Sequence, residues 1–120
     1  MVGVQNQAAV DAACALRILG DLAATAKLPS TSVDQPEAKH IVFSVATEGP
    51  IHEMWVHYRL DGAYHMTLLQ IWRTTIAKHA REFVHALRKV LEWGVHAFRT
   101  AILKDLVAVE TQLREERMEE

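Results

Sequence analysis

Residues 50–73 read PIHEMWVHYRLDGAYHMTLLQIWR, and the period assigned to them decides the fold. His52-Glu53 with His57 comes close to the His-Glu-x-x-His motif of zinc proteases. That motif needs two His four apart on one helix face, with Glu beside them as general base. Here the His are five apart. On a helix that is ~140° out of register. On a strand an odd separation puts them on opposite faces. Trp55, Val56 and Tyr58 favour a strand, and Pro50 precedes them. Two strands are therefore expected, from about His52 to Leu60 and from Tyr64 to Trp72, joined around Asp61-Gly62. Met54, Val56 and Tyr58 form one apolar set, and Tyr64, Met66 and Leu68 another. A two-residue turn at Asp61-Gly62 puts the sets on opposite faces. A three-residue loop, Leu60 to Gly62, keeps them together, and this is the expectation.

Upstream, IVFSVATE (41–48) alternates Ile41, Phe43, Val45 and Thr47 with Val42, Ser44, Ala46 and Glu48. This reads as a third strand, closed by Gly49-Pro50. Before it, about Gln5 to Leu28 has helical spacing through Leu16, Leu19, Ala23 and Ala26, with Val10, Cys14 and Ile18 alongside. Its many Ala allow close approach to a sheet, and Pro29 ends it. Arg17 and Asp21 are spaced for an ion pair. Residues 29–40 are polar and read as an internal loop.

Downstream, the period changes to that of a helix. Thr74 or Thr75 would cap it, and Ile76, Ala80, Phe83, Leu87, Val90 and Leu91 form its stripe. The pattern resumes after Gly94 with Phe98, Ile102, Leu106, Val109 and Leu113. One helix over 75–117 would be ~60 Å long. A bend or break near Gly94 is expected, giving either one long helix or two shorter ones, with 114–120 a fraying tail. The fold class is α+β: an N-terminal helix, a three-stranded, mostly antiparallel sheet with a central hairpin, and a C-terminal helical region.

At 120 residues, the chain is one domain or part of one. Half the residues are hydrophobic and the net charge is −2, so no overall basic charge advertises nucleic acid. Cys14 is the single cysteine, which excludes an internal disulfide. Its Ala-rich surroundings predict a buried thiol, and an intracellular location, cytoplasmic or nuclear, fits. AAVDAACALRILGDLAATA (8–26) lacks a basic start, and Asp11, Arg17 and Asp21 interrupt it. No signal peptide, membrane span or membrane partner is expected.

Chemistry-bearing patterns are sparse. The seven His include no helical i, i+4 pair, and no metal site is expected. His57 and His65 could meet across the hairpin, on the face opposite Met54–Tyr58. Ser44 sits between Phe43 and Val45, outside any nucleophile elbow. Arg73, Lys78, Arg81, Arg88 and Lys89 form a basic cluster that could take phosphate, although a solvated helix face is the more ordinary explanation.

NQAAVDAACALRILGDLA (6–23), VFSVATEGPIHEMWVHYRLDGAYHMTLLQIWRTT (42–75) and EFVHALRKVLEWGVHAFR (82–99) together resemble the fungal PD-(D/E)XK nuclease-like domain family. The resemblance runs from about Asn6 to Phe98 and is most specific around His52, Glu53, Trp55, Val56, His57 and Tyr58. It implies a partial restriction-endonuclease-like fold in which HEMWVHY is a central hairpin strand. The chemistry it implies is phosphodiester hydrolysis, with an Asp and a Glu-x-Lys on adjacent strands holding Mg²⁺. In the family those strands precede the helix resembled by Asn6 to Ala26. Gln7 matches a Gln that some members carry on that helix. Glu37-Ala38-Lys39, with Asp34 nearby, is a literal Glu-x-Lys, but it lies in a Pro-containing loop and is too compact for two strands.

The resulting expectation is the C-terminal portion of a nuclease-like domain, 1–120, incomplete and inactive alone, with no cofactor of its own and no catalytic residue beyond the remnant Gln7. Its partner would be a missing N-terminal half. The alternatives are a small interaction module that oligomerises by burying Leu16, Leu19 and Ala23, or nucleic-acid binding without cleavage through Arg73, Lys78, Arg81 and Arg88.

Overall fold

The computed structural model describes residues 2–26 and 40–119. Pro29, Asp34 and the Glu37-Ala38-Lys39 triplet, with most of the expected 29–40 loop, lie outside them. Helix α1 (Val2–Ala26) is followed by strands β1 (Ile41–Glu48), β2 (Ile51–Leu60) and β3 (Ala63–Arg73). Helix α2 (Ala77–Trp93), a π-helical turn (Gly94–Phe98) and helix α3 (Arg99–Glu119) complete it. The fold is α+β, with an antiparallel sheet ordered β1-β2-β3 and β2 at its centre.

The hairpin turn differs from the expected three-residue loop. Leu60 pairs with Ala63, so the turn is the two residues Asp61 and Gly62, with φ of 51° and 79°. Positive φ at both positions matches the twist of the strands it joins, and Gly62 accepts it without a Cβ penalty. Tyr58 therefore faces His65, and His57 faces Met66. The two apolar sets therefore lie on opposite faces, and Tyr64 and Leu68 of the second set are exposed. His57 and His65 do not share a face: the His65 ring stacks on Tyr58.

α1 covers one face. Its Ala12 and Leu16 are buried there, with Ala46 of β1. α2 covers the other, where Phe83 packs on His52 and Trp72, and Trp93 meets Phe43 edge-on. A β-bulge makes this two-sided packing work. Trp55 pairs with Leu68 but Met54 pairs with Gln70, so Leu69 is an extra residue. Beyond it the alternation of β3 inverts. Trp72 then falls on the α2 face and is buried.

Neither Thr74 nor Thr75 caps α2. Ile76 is the N-cap, without a side-chain bond. Thr74 Oγ1 instead donates to the Pro50 carbonyl, and its backbone N–H donates to the same oxygen, tying β3 to the Gly49-Pro50 turn. The expected break at Gly94 is a widening: Gly94 keeps helical angles of −62° and −41°. The 17, 5 and 21 residues of α2, the π turn and α3 would make a rod of roughly 64 Å. The molecule measures 63 × 26 × 26 Å, so the rod sets its length. α3 stays helical to Glu119 where a fraying tail was expected, and Arg114 pairs with Glu110 one turn back. Gln112 Nε2 donates to the Ala26 carbonyl at 2.8 Å, joining α3 to the end of α1.

Candidate functional site

Strand alternation in β2 sends His52 and Met54 to the α2 face, and Glu53, Trp55 and His57 to the α1 face. His52 and His57 are thus on opposite faces, as their odd spacing predicts. Glu53 is buried beneath the first turns of α1. Its Oε1 accepts from Gln5 Nε2 at 2.7 Å and from Trp55 Nε1 at 3.3 Å. His57 is 2% exposed and forms a 2.7 Å hydrogen bond between its Nε2 and Ser44 Oγ. Burial pushes its imidazole below the ordinary pKa of 6.5, because a charged ring would lose its hydration. On the other face, His52 bridges Thr47 and Thr74 through its two ring nitrogens.

An open groove of about 500 Å³ lies between α1 and β1. Gln7, Asp11 and Ser44 line it with apolar neighbours that include Val4, Val42 and Val45. Gln7 Nε2 donates to Asp11 Oδ1 at 3.1 Å. β1 is an edge strand, and its outer side pairs with no other strand among the described residues. This places Gln7, the residue singled out by the resemblance, beside an open sheet edge.

The groove does not suit Mg²⁺ by itself. Asp11 is the one carboxylate among its lining residues, whereas a hard divalent cation at a nuclease site calls for several oxygen ligands. Among the described residues no group of three or more His, Cys, Asp or Glu could hold a metal. Among the described residues no carboxylate is hydrogen-bonded to the His57 ring, and Glu53 Oε1 serves Gln5 and Trp55 instead. The cluster under α1 anchors that helix to β2.

The basic positions are dispersed. Arg81 and Arg88 flank His85 on the exposed side of α2, along a shallow groove of about 420 Å³. Lys78 is 3.9 Å from Glu82. Arg73 pairs with Ile51, and its backbone N–H donates to His79 Nδ1. After the bulge, alternation assigns Arg73 to the face opposite α2, away from the other three.

Two residues were misjudged or missed in the sequence. Cys14, expected to be buried, is exposed. Asp105 is fully buried in α3, and its one sequence signal is that it and Lys104 interrupt the apolar stretch AILKDLVAV (101–109). No helix among the described residues is long and apolar enough to cross a membrane. No family model, curated protein or solved structure matches the chain.

Proposed function

We propose that this chain is the non-cleaving part of a PD-(D/E)XK nuclease-like scaffold, completed by further strands at the open edge of β1. The observation that carries this reading is the juxtaposition of that edge with the groove lined by Gln7 and Asp11. α1 leads into β1. A strand placed ahead of α1 and lying parallel to β1 would be joined to it by a right-handed crossover through α1. β2 occupies one side of β1, which leaves the open edge. Carboxylates on such a strand would arrive next to Gln7 and Asp11, supplying the oxygen ligands that the groove lacks. Alone, the chain is expected to cleave nothing.

The dimensions support completion by another surface. A compact 13.5 kDa monomer exposes about 6,500 Å², whereas this chain exposes 8516 Å². The excess equally favours the second reading, an interaction module without nuclease function. The two differ in whether the completed assembly cleaves phosphodiesters. Arg81 and Arg88 are the positions at which the scaffold would meet phosphate, and their neutralisation should then reduce the salt dependence of nucleic-acid binding.

The test incubates the purified chain with DNA and RNA in Mg²⁺ or Mn²⁺. No cleavage is expected. Cleavage abolished by Gln7→Ala would overturn the proposal. A companion measurement compares hydrogen exchange of β1 in the purified chain and in material isolated from cells. Greater protection in the cellular material is expected, and equal exchange in both would count against completion at that edge.

A further inference from the structure

Leu16 is buried against the sheet, and Leu19 and Ala23 are half-buried. The oligomer surface expected from these three therefore belongs largely to the fold's own packing. The rod is different. Val95, Leu103, Leu106 and Leu113 are 56%, 47%, 48% and 51% exposed, and Arg99 and Glu110, which complete their row, are exposed too. The six follow steps of four, four, three, four and three residues, the spacing that holds a row to one side of a helix. The two successive four-residue steps start in the π turn, whose extra width absorbs the additional residue. Gln112 points elsewhere, to the Ala26 carbonyl of α1.

Along the chain the row reads apolar, basic, apolar, apolar, acidic, apolar. Reversed, it is its own complement. Let two copies pack their rods antiparallel about a twofold axis midway between Lys104 and Asp105. Leu103 then meets Leu106 of the other copy, and Arg99 meets Glu110. Val95 meets Leu113 within one residue's rise. Each contact is made twice. The ion pair sits on the seam, because Arg99 and Glu110 are eleven residues apart, only ~20° around the helix. The leucines make the alternating layers of an antiparallel coiled coil. A parallel pair would instead oppose Arg99 to Arg99 and Glu110 to Glu110. An unrelated partner would need none of this reciprocity, whereas an isologous twofold contact requires it. The area also suits a second copy. The chain exposes 8516 Å², about 2,000 Å² more than a compact monomer of its mass, and a stable dimer takes about 800 Å² from each partner.

We infer that the outer side of the rod is a homodimer interface, an antiparallel helix pair packed through Val95, Leu103, Leu106 and Leu113 and registered by reciprocal Arg99–Glu110 ion pairs. It does not involve the β1 edge, so this inference and the proposed function stand or fall independently.

A charge-swap cycle tests it, read by sedimentation velocity over a range of chain concentrations. The native chain should form a concentration-dependent dimer. Arg99→Glu and Glu110→Arg should each weaken it about tenfold or more, because each places two like-charged pairs across the seam. The double swap should restore it. Arg99→Glu is the cleaner single variant, since Glu110 also accepts from Arg114 of its own helix. Orientation is read separately, by spin labels on single cysteines in a Cys14→Ser background. Labels at Lys104→Cys should lie close across the axis, whereas labels at Glu116→Cys should be ~35 Å apart along the rods. Circular dichroism would establish that every variant is folded. A native chain that stays monomeric, a dimer indifferent to the single swaps, a double swap no better than the singles, or equal label separations at the two sites would each overturn the inference.

Discussion

Glu53 joins α1 to the central strand more directly than any apolar contact does. One carboxylate oxygen serves both Gln5 and Trp55, and the site is shielded from water. Glu53→Ala should cost about 2 kcal/mol, typical for lost hydrogen bonds to a charged group, measured by urea denaturation. His57 adds a pH dependence. Its folded-state pKa is depressed from 6.5, so just below that pH the unfolded chain binds more protons than the folded one. This contribution is complete above pH 6.5 and is lost as the pH falls through the depressed value. The urea midpoint should drop between about pH 7.5 and 5.5, and His57→Gln should flatten the change. An unchanged slope in that variant would assign the effect to other groups.

Among the elements, strand periods were readable wherever a buried face imposed them. β1 was placed at 41–48 from alternation alone, and the HEMWVHY strand was separated from a zinc motif by parity. The turn was misjudged because the sequence does not say whether one sheet face or both will be covered. With a helix on each face, Asp61-Gly62 can be a two-residue turn; Met54 is buried, whereas Tyr64 and Leu68 of the other set stay exposed. Gly62→Ala should therefore cost about 1–2 kcal/mol, the price of a left-handed residue with a Cβ. The groove was legible only through Gln7, since a pocket between α1 and β1 depends on tertiary contacts. The π turn left just one trace, the glycine at its start. A Cβ at Gly94 would meet nothing within 4 Å, and the backbone there is helical. Gly94→Ala should stabilise by about 0.5–1 kcal/mol. Deleting Ala97 should have the opposite sign. It would remove the residue that widens the turn and rotate α3 by ~100° relative to α2, carrying Gln112 away from Ala26 of α1. Thermal unfolding of the two variants would reveal the contrast.

The whole molecule is longer than its mass requires. A globular domain of this length has a radius of gyration of about 13.6 Å, against 17.5 Å here. Small-angle scattering on the dilute chain should return a value near 17.5 Å. A value near 14 Å, that of a compact domain, would mean that α3 folds back onto the sheet. The same elongation leaves Leu103, Leu106, Val107 and Leu113 of α3 exposed.

The widened turn at Gly94–Phe98 also acts as the fulcrum of a lever arm. α3 extends ~31 Å beyond it, so a swing of ~10° there would move Glu119 by ~5 Å. The Gln112–Ala26 hydrogen bond latches that arm to the end of α1. The separation of residues 26 and 112 is thus a gauge of the angle at the turn, and a pair of spin labels there would convert a change too small for most probes into a measurable distance.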